Sequence, residues 1–165
     1  MKVLVAVGSK YGSTRGIADA IGAELRLQGF DVEVEDACDV LSVTAYDAVI
    51  VGSAIYGGLW RRDASALLTD HVDELKRRDV WLFSCGVREV KEPGYATGEA
   101  ERLAQLVGAR ERTTFAGALD YGRLNAGERV TIRVINPPLG DHRDFELVRD
   151  WARSIGATLS AESFS

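Results

Sequence analysis

Residues 2–8 (KVLVAVG) and 47–53 (DAVIVGS) are apolar almost without interruption. A strand with one face in water alternates polar and apolar side chains. A strand that does not alternate must be covered on both faces, as in the centre of a parallel sheet. Parallel neighbours cannot be joined by a hairpin and need crossovers, usually helices. The two runs therefore constrain the chain to an alternation of strand and helix.

The rest of the chain supplies that alternation. Over residues 13–28, Ile17, Ile21 and Leu25 recur on one helical stripe, with Ser13 or Thr14 as N-cap and Gly29 as the stop. Residues 31–36 (DVEVED) alternate and read as an edge strand. A helix is expected over about 62–77, with Ala64, Leu68, Val72 and Leu75 facing inward, followed by a strand at 79–85 (DVWLFSC). A helix near 97–107 presents Ala100, Leu103 and Val107, and residues 113–119 form the fifth strand. The last helix, 144 to about 159, carries Phe145, Val148, Ala152, Ile155 and Leu159. The expected fold class is α/β: a doubly wound, five-stranded parallel sheet of order 2-1-3-4-5 with helices on both faces. In that order the first and third strands leave in opposite senses and open a ligand crevice at their carboxyl ends.

The length of 165 residues suits one domain, 1–165, with an insertion at about 122–143 before the last helix. A net charge of -5 repels nucleic-acid phosphates, and no block of Lys and Arg offsets it. The first apolar run is too short for a leader or a membrane span, so a cytoplasmic protein without a transmembrane segment is expected. Cys38 and Cys85 form no CxxC pair, and His71 and His142 lack metal-ligand spacing, which argues against a disulfide framework and a metal site.

Three loops meet at the expected crevice. The first, Ser9-Lys10-Tyr11-Gly12-Ser13-Thr14, joins a buried strand to a helix N-terminus and is rich in hydroxyls. Free backbone N–H groups and the helix dipole suit a phosphate monoester there, and Lys10 or Arg15 adds positive charge. Simple capping by Ser13 and Thr14 explains the same residues. No GxGxxG or Walker loop is present, and the strand ends lack the acidic residues of a phosphorylated receiver domain. The second loop, Ser53-Ala54-Ile55-Tyr56-Gly57-Gly58-Leu59-Trp60, sets two aromatics and paired glycines beside the crevice. Tyr56 or Trp60 suits the wall of a flat conjugated ligand, stacking being worth about 0.5–1.5 kcal/mol beyond burial. Packing beneath the loop is the other reading of each. The third loop, Ser84-Cys85-Gly86-Val87-Arg88-Glu89, approaches from the opposite side. Amides near Gly86 and Val87 suit the polar edge of a flavin, and Arg88 is a candidate for stabilising negative charge on it. Cys85, ending a buried strand, reads more readily as a small core residue than as a redox thiol. No catalytic triad emerges, as expected where a cofactor carries the chemistry.

With these residues in place the chain resembles the flavodoxin superfamily. S-K-Y-G-S-T after the first strand, S-A-I-Y-G-G after the third and S-C-G after the fourth carry the likeness. It is closest to the bacterial menaquinone-dependent protoporphyrinogen oxidases, through F-A-G-A-L-D-Y (115–121) and D-F-E-x-V-x-x-W-A (144–152). The resemblance implies FMN, with its phosphate on Ser9, Tyr11, Gly12, Ser13 and Thr14. Its ring would lie between Ser53, Ala54, Ile55, Tyr56 and Gly57 on one side and Ser84, Cys85, Gly86, Val87 and Arg88 on the other. It further implies oxidation of a porphyrinogen-like donor in heme biosynthesis, with electrons passing to a quinone and peripheral contact with the inner face of the membrane. In the family, the insertion before the last helix is associated with the quinone side. Here that segment alternates Val130, Ile132 and Val134 with Thr131 and Arg133, and is less hydrophobic and basic than the family's. An electron carrier serving a redox partner protein, or a flavin-free interaction module, are the alternative readings of the same fold.

Overall fold

A computed structural model describes residues 1–8, 13–56, 59–86, 97–116, 118–119, 140–141 and 144–163. Strand β1 (Lys2–Gly8) leads to helix α1 (Ser13–Leu27), then β2 (Asp31–Asp36), a 3-10 turn (Ala37–Asp39) and β3 (Ala48–Tyr56). A two-residue strand β4 (Leu59–Trp60) precedes helices α2 (Arg62–Asp70) and α3 (Val72–Lys76), and then β5 (Asp79–Gly86). Next come α4 (Thr97–Val107), β6 (Glu111–Ala116), β7 (Ala118–Leu119), β8 (Gly140–Asp141) and α5 (Phe145–Ser163).

The main sheet runs β2-β1-β3-β5-β6, all parallel, with β4 added antiparallel to β3. Counted over its long strands, this is the expected 2-1-3-4-5 order. Side chains alternate across the central strands and so build two cores. Val3, Val5 and Val7 of β1 face α1 and α5, together with Ile50, Phe83, Ile17, Ile21 and Ile155. Leu4 and Ala6 face α2, α3 and α4, together with Val49, Val51, Leu82, Leu68 and Leu103. Burying each large aliphatic side chain contributes about 1.5–3 kcal/mol, which is why the central strands carry almost no polar residue before their last positions.

Helix ends follow local chemistry. Gly29, at φ +96, closes α1 by donating from its N–H to Arg26 O (3.0 Å), while the Phe30 N–H reaches Leu25 O (3.2 Å). That left-handed residue satisfies carbonyls the helix leaves open. Asp144 caps α5, its Oδ1 accepting the Glu146 and Leu147 N–H groups at 3.1 and 3.3 Å.

Two expectations need correcting. The single helix over 62–77 is two helices, broken at His71, which has φ -125 and ψ 29. Thr69, Asp70, His71 and Val72 are all weak helix formers, and an unbroken apolar stripe does not offset four in a row. His71 is half-buried at this junction. The fifth strand starts at Glu111, not Thr113, and ends at Ala116. Its charged start is possible because β6 is an edge: Arg112 pairs with Glu101 (2.5 Å), and Glu111 accepts the Trp151 indole N–H (2.7 Å). Residues 118–119 instead pair antiparallel with 140–141 in a separate ribbon. Most of the expected insertion, 122–143, lies outside the described residues.

Beyond β2, the Tyr46 hydroxyl donates to Glu33, which also pairs with Lys2 (3.3 Å). The Tyr46 hydroxyl and Lys2 hold the Glu33 carboxyl below the usual range, while burial and Glu33 push the Tyr46 hydroxyl up. Arg112 lowers Glu101, and Arg149 lowers Glu146. A carboxyl lowered in the folded state stabilises above its unfolded pKa and loses that contribution as pH falls through the folded value. The urea midpoint is therefore expected to fall as pH drops below about 4.5. The three groups are exposed, so added salt should flatten this dependence, and a midpoint that rises on acidification would refute the assignment.

Gly52 permits a close approach on the α1/α5 face: a Cβ there would lie 2.0–2.3 Å from the Phe83 ring. Phe83 in turn packs against Phe115 and Trp151, with centroids 6.1 and 6.0 Å away. Gly52→Ala is expected to destabilise by about 1–3 kcal/mol in urea unfolding, as overpacking does. Adding Phe83→Leu should recover part of that loss, and simple additivity of the two would show the contact is not the cause.

Candidate functional site

The register of the sheet sets one row of residues across its carboxyl end. Gly8 is opposite Ser53, Ser53 opposite Ser84, and Ser84 opposite Thr114. Beyond that row the chain leaves β1 for α1 on one face of the sheet and leaves β3 for β4 and α2 on the other. Crossovers diverging from adjacent strands open the crevice in which folds of this kind bind ligands.

On the α1 side, Thr14 lies in the first turn of the helix and is completely buried, and its Oγ1 makes no hydrogen bond. An unpaired buried hydroxyl costs about 1–3 kcal/mol, so its presence next to the free amides of a helix N-terminus suits an anionic acceptor. The segment Ser13-Thr14-Arg15 carries no carboxylate to repel an anion, which fits a phosphate monoester. Arg15 itself is turned away, bonded to Asp19 (3.3 Å), Asp36 (3.0 Å) and Val34 O (3.4 Å). Ser13 is placed by its backbone at the start of α1, while Ser9, Lys10, Tyr11 and Gly12 lie outside the described residues.

On the α2 side the polar groups are paired. Ser53, fully buried, donates to Ala54 O and accepts the Arg61 N–H, both at 2.8 Å. Ser84 accepts the Trp60 indole N–H at 2.9 Å. Of the two expected aromatic walls, Trp60 therefore packs inward, into the core beneath β4. Ala54 and Ile55 are half-buried at the carboxyl end of β3, and Tyr56 is placed by its backbone opposite Leu59. Gly57 lies outside the described residues.

At the end of β5, Cys85 sits opposite Ala54 and Phe115 and belongs to the α1/α5 core, as a small apolar residue would. Gly86 ends the strand, and Val87 and Arg88 lie outside the described residues. The structure thus brings Thr14, Ser53, Ala54, Ile55, Ser84, Cys85 and Gly86 to one end of the sheet.

One residue escaped the sequence reading. Arg61 lies where α2 begins, and its Cβ would be 3.2 Å from a Cβ added to Gly8. Its Nε is buried without a hydrogen bond, its ion pair with Asp63 being long at 3.9 Å. Nothing in the Trp60-Arg61-Arg62 run distinguishes this cation from a solvated one. Cys38, in the exposed 3-10 turn, is a poor nucleophile, because burial and then Asp39, Asp63 and Asp36 push its thiol up. Among the described residues no cluster of His, Cys, Asp and Glu is arranged to hold a metal.

Comparison with known proteins agrees with this fold. Protoporphyrinogen IX dehydrogenase [quinone] of Escherichia coli strain K12 is 24% identical over 172 residues, covering 94% of each chain. Among solved structures, a flavodoxin from Streptococcus pneumoniae TIGR4 superposes with a TM-score of 0.63 at 18% identity, over 96% of this chain and 99% of that one. The rubredoxin oxygen:oxidoreductase of Desulfovibrio gigas gives a TM-score of 0.70 at 15% identity, over 99% of this chain and 37% of that one. The flavodoxin domain family matches residues 4–146, most of the chain, and the protein belongs to that family.

Proposed function

We propose that this protein binds one FMN at the carboxyl end of its sheet and uses it to pass electrons from a porphyrinogen-like donor to a quinone. The buried, unpartnered Thr14 hydroxyl at the start of α1 carries the cofactor part of this reading. The relative that covers 94% of both chains carries the donor and acceptor. Ser9, Tyr11, Gly12, Ser13 and Thr14 hold the phosphate. The β3 and β5 ends, Ser53 to Gly57 and Ser84 to Arg88, flank the ring, with Arg88 bringing positive charge to its polar edge. Bound there, FMN supplies one- and two-electron transfer, and the protein orients the ring and limits access of water.

A lipid-borne quinone needs contact with the membrane surface rather than insertion into it. Among the described residues no helix is long and apolar enough to cross a membrane. We take 1–165 as one domain in which the segment at about 122–143 serves the acceptor side. The second reading, a carrier serving a redox partner protein, draws on the end-to-end likeness to flavodoxins.

Two experiments decide. Protein loaded with FMN and freed of excess is expected to retain one flavin per chain; retention of none would favour an interaction module. Loaded protein should then turn over protoporphyrinogen with a menaquinone analogue, and a loaded protein that does not is a carrier. Thr14→Val tests the phosphate site. It should stabilise the flavin-free protein by about 1 kcal/mol, because it removes an unpaired buried hydroxyl. It should also weaken FMN binding while leaving riboflavin, which has no phosphate, unaffected. Equal weakening of both ligands would move the phosphate elsewhere.

A further inference from the structure

Trp60 makes two hydrogen bonds that reach both sides of the third loop. Its indole N–H donates to Ser84 (2.9 Å), two residues before β5 ends and that loop begins. Its backbone N–H donates to Glu99 Oε2 (3.0 Å), in the first turn of α4, where the loop has ended. Glu99 is itself largely buried, with its side chain 16% exposed and Arg102 3.7 Å from its other oxygen. The next residue, Arg61, is tied through its N–H to Ser53 on β3. Trp60 is also half of β4, which pairs with Ile55 and Tyr56 and so closes the second loop. One buried residue, through its indole N–H on one flank and its backbone N–H on the other, therefore joins the return of the second loop to both flanks of the third.

We propose that Trp60, held by Ser84 and Glu99, is a positioning residue that makes the two ring-flanking loops one mechanical unit. This rests on the FMN reading for its consequence, though not for its geometry. Trp60 does not contact the ring in this arrangement, because the residue is 5% exposed and its indole N–H is already engaged. Loss of the tie frees β4, the end of β5 and the start of α4 to shift relative to one another. The cost falls on ring binding and leaves the phosphate contribution, which arises at α1, unchanged.

The test uses the full chain with Trp60→Phe, Glu99→Ala and Glu99→Gln, each titrated with FMN and with riboflavin. Trp60→Phe keeps an aromatic ring in the core and deletes only the indole N–H. It and Glu99→Ala should raise both dissociation constants by the same factor, about tenfold for one buried hydrogen bond. The ratio of the two constants should stay at its wild-type value. Glu99→Gln keeps an acceptor for the Trp60 N–H and should stay close to wild type. In flavin-free protein, Trp60→Phe should also speed amide hydrogen exchange in peptides spanning 84–99, with β1 and α1 unchanged. Unaltered constants, or weakening of FMN alone, would overturn the proposal, as would exchange that is unchanged or faster throughout the chain. If wild-type protein binds neither flavin, the function reading fails, and the exchange measurement alone decides the tie.

Discussion

Parallel pairing of β1 with β3, from Val3 opposite Ala48 to Gly8 opposite Ser53, joins two strands whose crossovers leave on opposite faces of the sheet. A crevice at their carboxyl ends follows from that pairing, before any loop residue is considered. The pairing is also intolerant of error. A slip of one residue in β3 turns every side chain to the other face. Ser53 would leave the Arg61 N–H, and Gly52 would no longer make room for the Phe83 ring. Burial on both faces makes such a slip costly, so the positions of the site residues follow from the packing of the core.

The two faces end differently. Under α1 and α5 the sheet finishes in aromatics: Phe115 and Trp151 lie 5.5 Å apart with Phe83 beside them, and Cys85 fills the space as a small apolar residue. Under α2 and α4 it finishes in hydroxyls, and those of Ser53 and Ser84 accept the N–H of Arg61 just after β4 and the indole N–H of Trp60 within it. Buried polar groups with partners are architecture, whereas one without a partner asks for an explanation. By that criterion the serines hold the loops, and Thr14 is the buried hydroxyl that the proposed phosphate would explain.

Much of this was legible in the residues themselves. Uninterrupted apolar runs identified the central strands, and apolar residues spaced by three and four identified α1, α4 and α5, because burial imposes those periods directly. The break at His71 was not legible, since an inward stripe is unchanged whether the helix is whole or divided there. Neither was the start of β6, where Glu111 and Arg112 resemble a loop until Trp151 and Glu101 are seen opposite them. Trp60 was ambiguous for a related reason. An aromatic beside a crevice turns inward only if something buried accepts its N–H, and Ser84 lies twenty-four residues away. Local pattern cannot contain a partner that distant. The Nε of Arg61, buried without a hydrogen bond, is hidden in the same way, since burial of one atom is a property of the assembled fold.

Membership of the flavodoxin family leaves open whether electrons are exchanged with a protein or with a small molecule, and the distinction lies in what surrounds the ring. A carrier presents a bare ring edge to its partner, commonly on a strongly acidic surface, and a charge of -5 over the whole chain is mild for that. The ribbon of Ala118–Leu119 with Gly140–Asp141 bears on the same point. It begins within two residues of the end of β6, and so lies at the carboxyl end of the sheet, the end that carries the three loops. The described residues suit exchange with a small molecule and with a protein alike, so the family's fold leaves that choice to the groups that reach the crevice, and turnover by flavin-loaded protein separates the two.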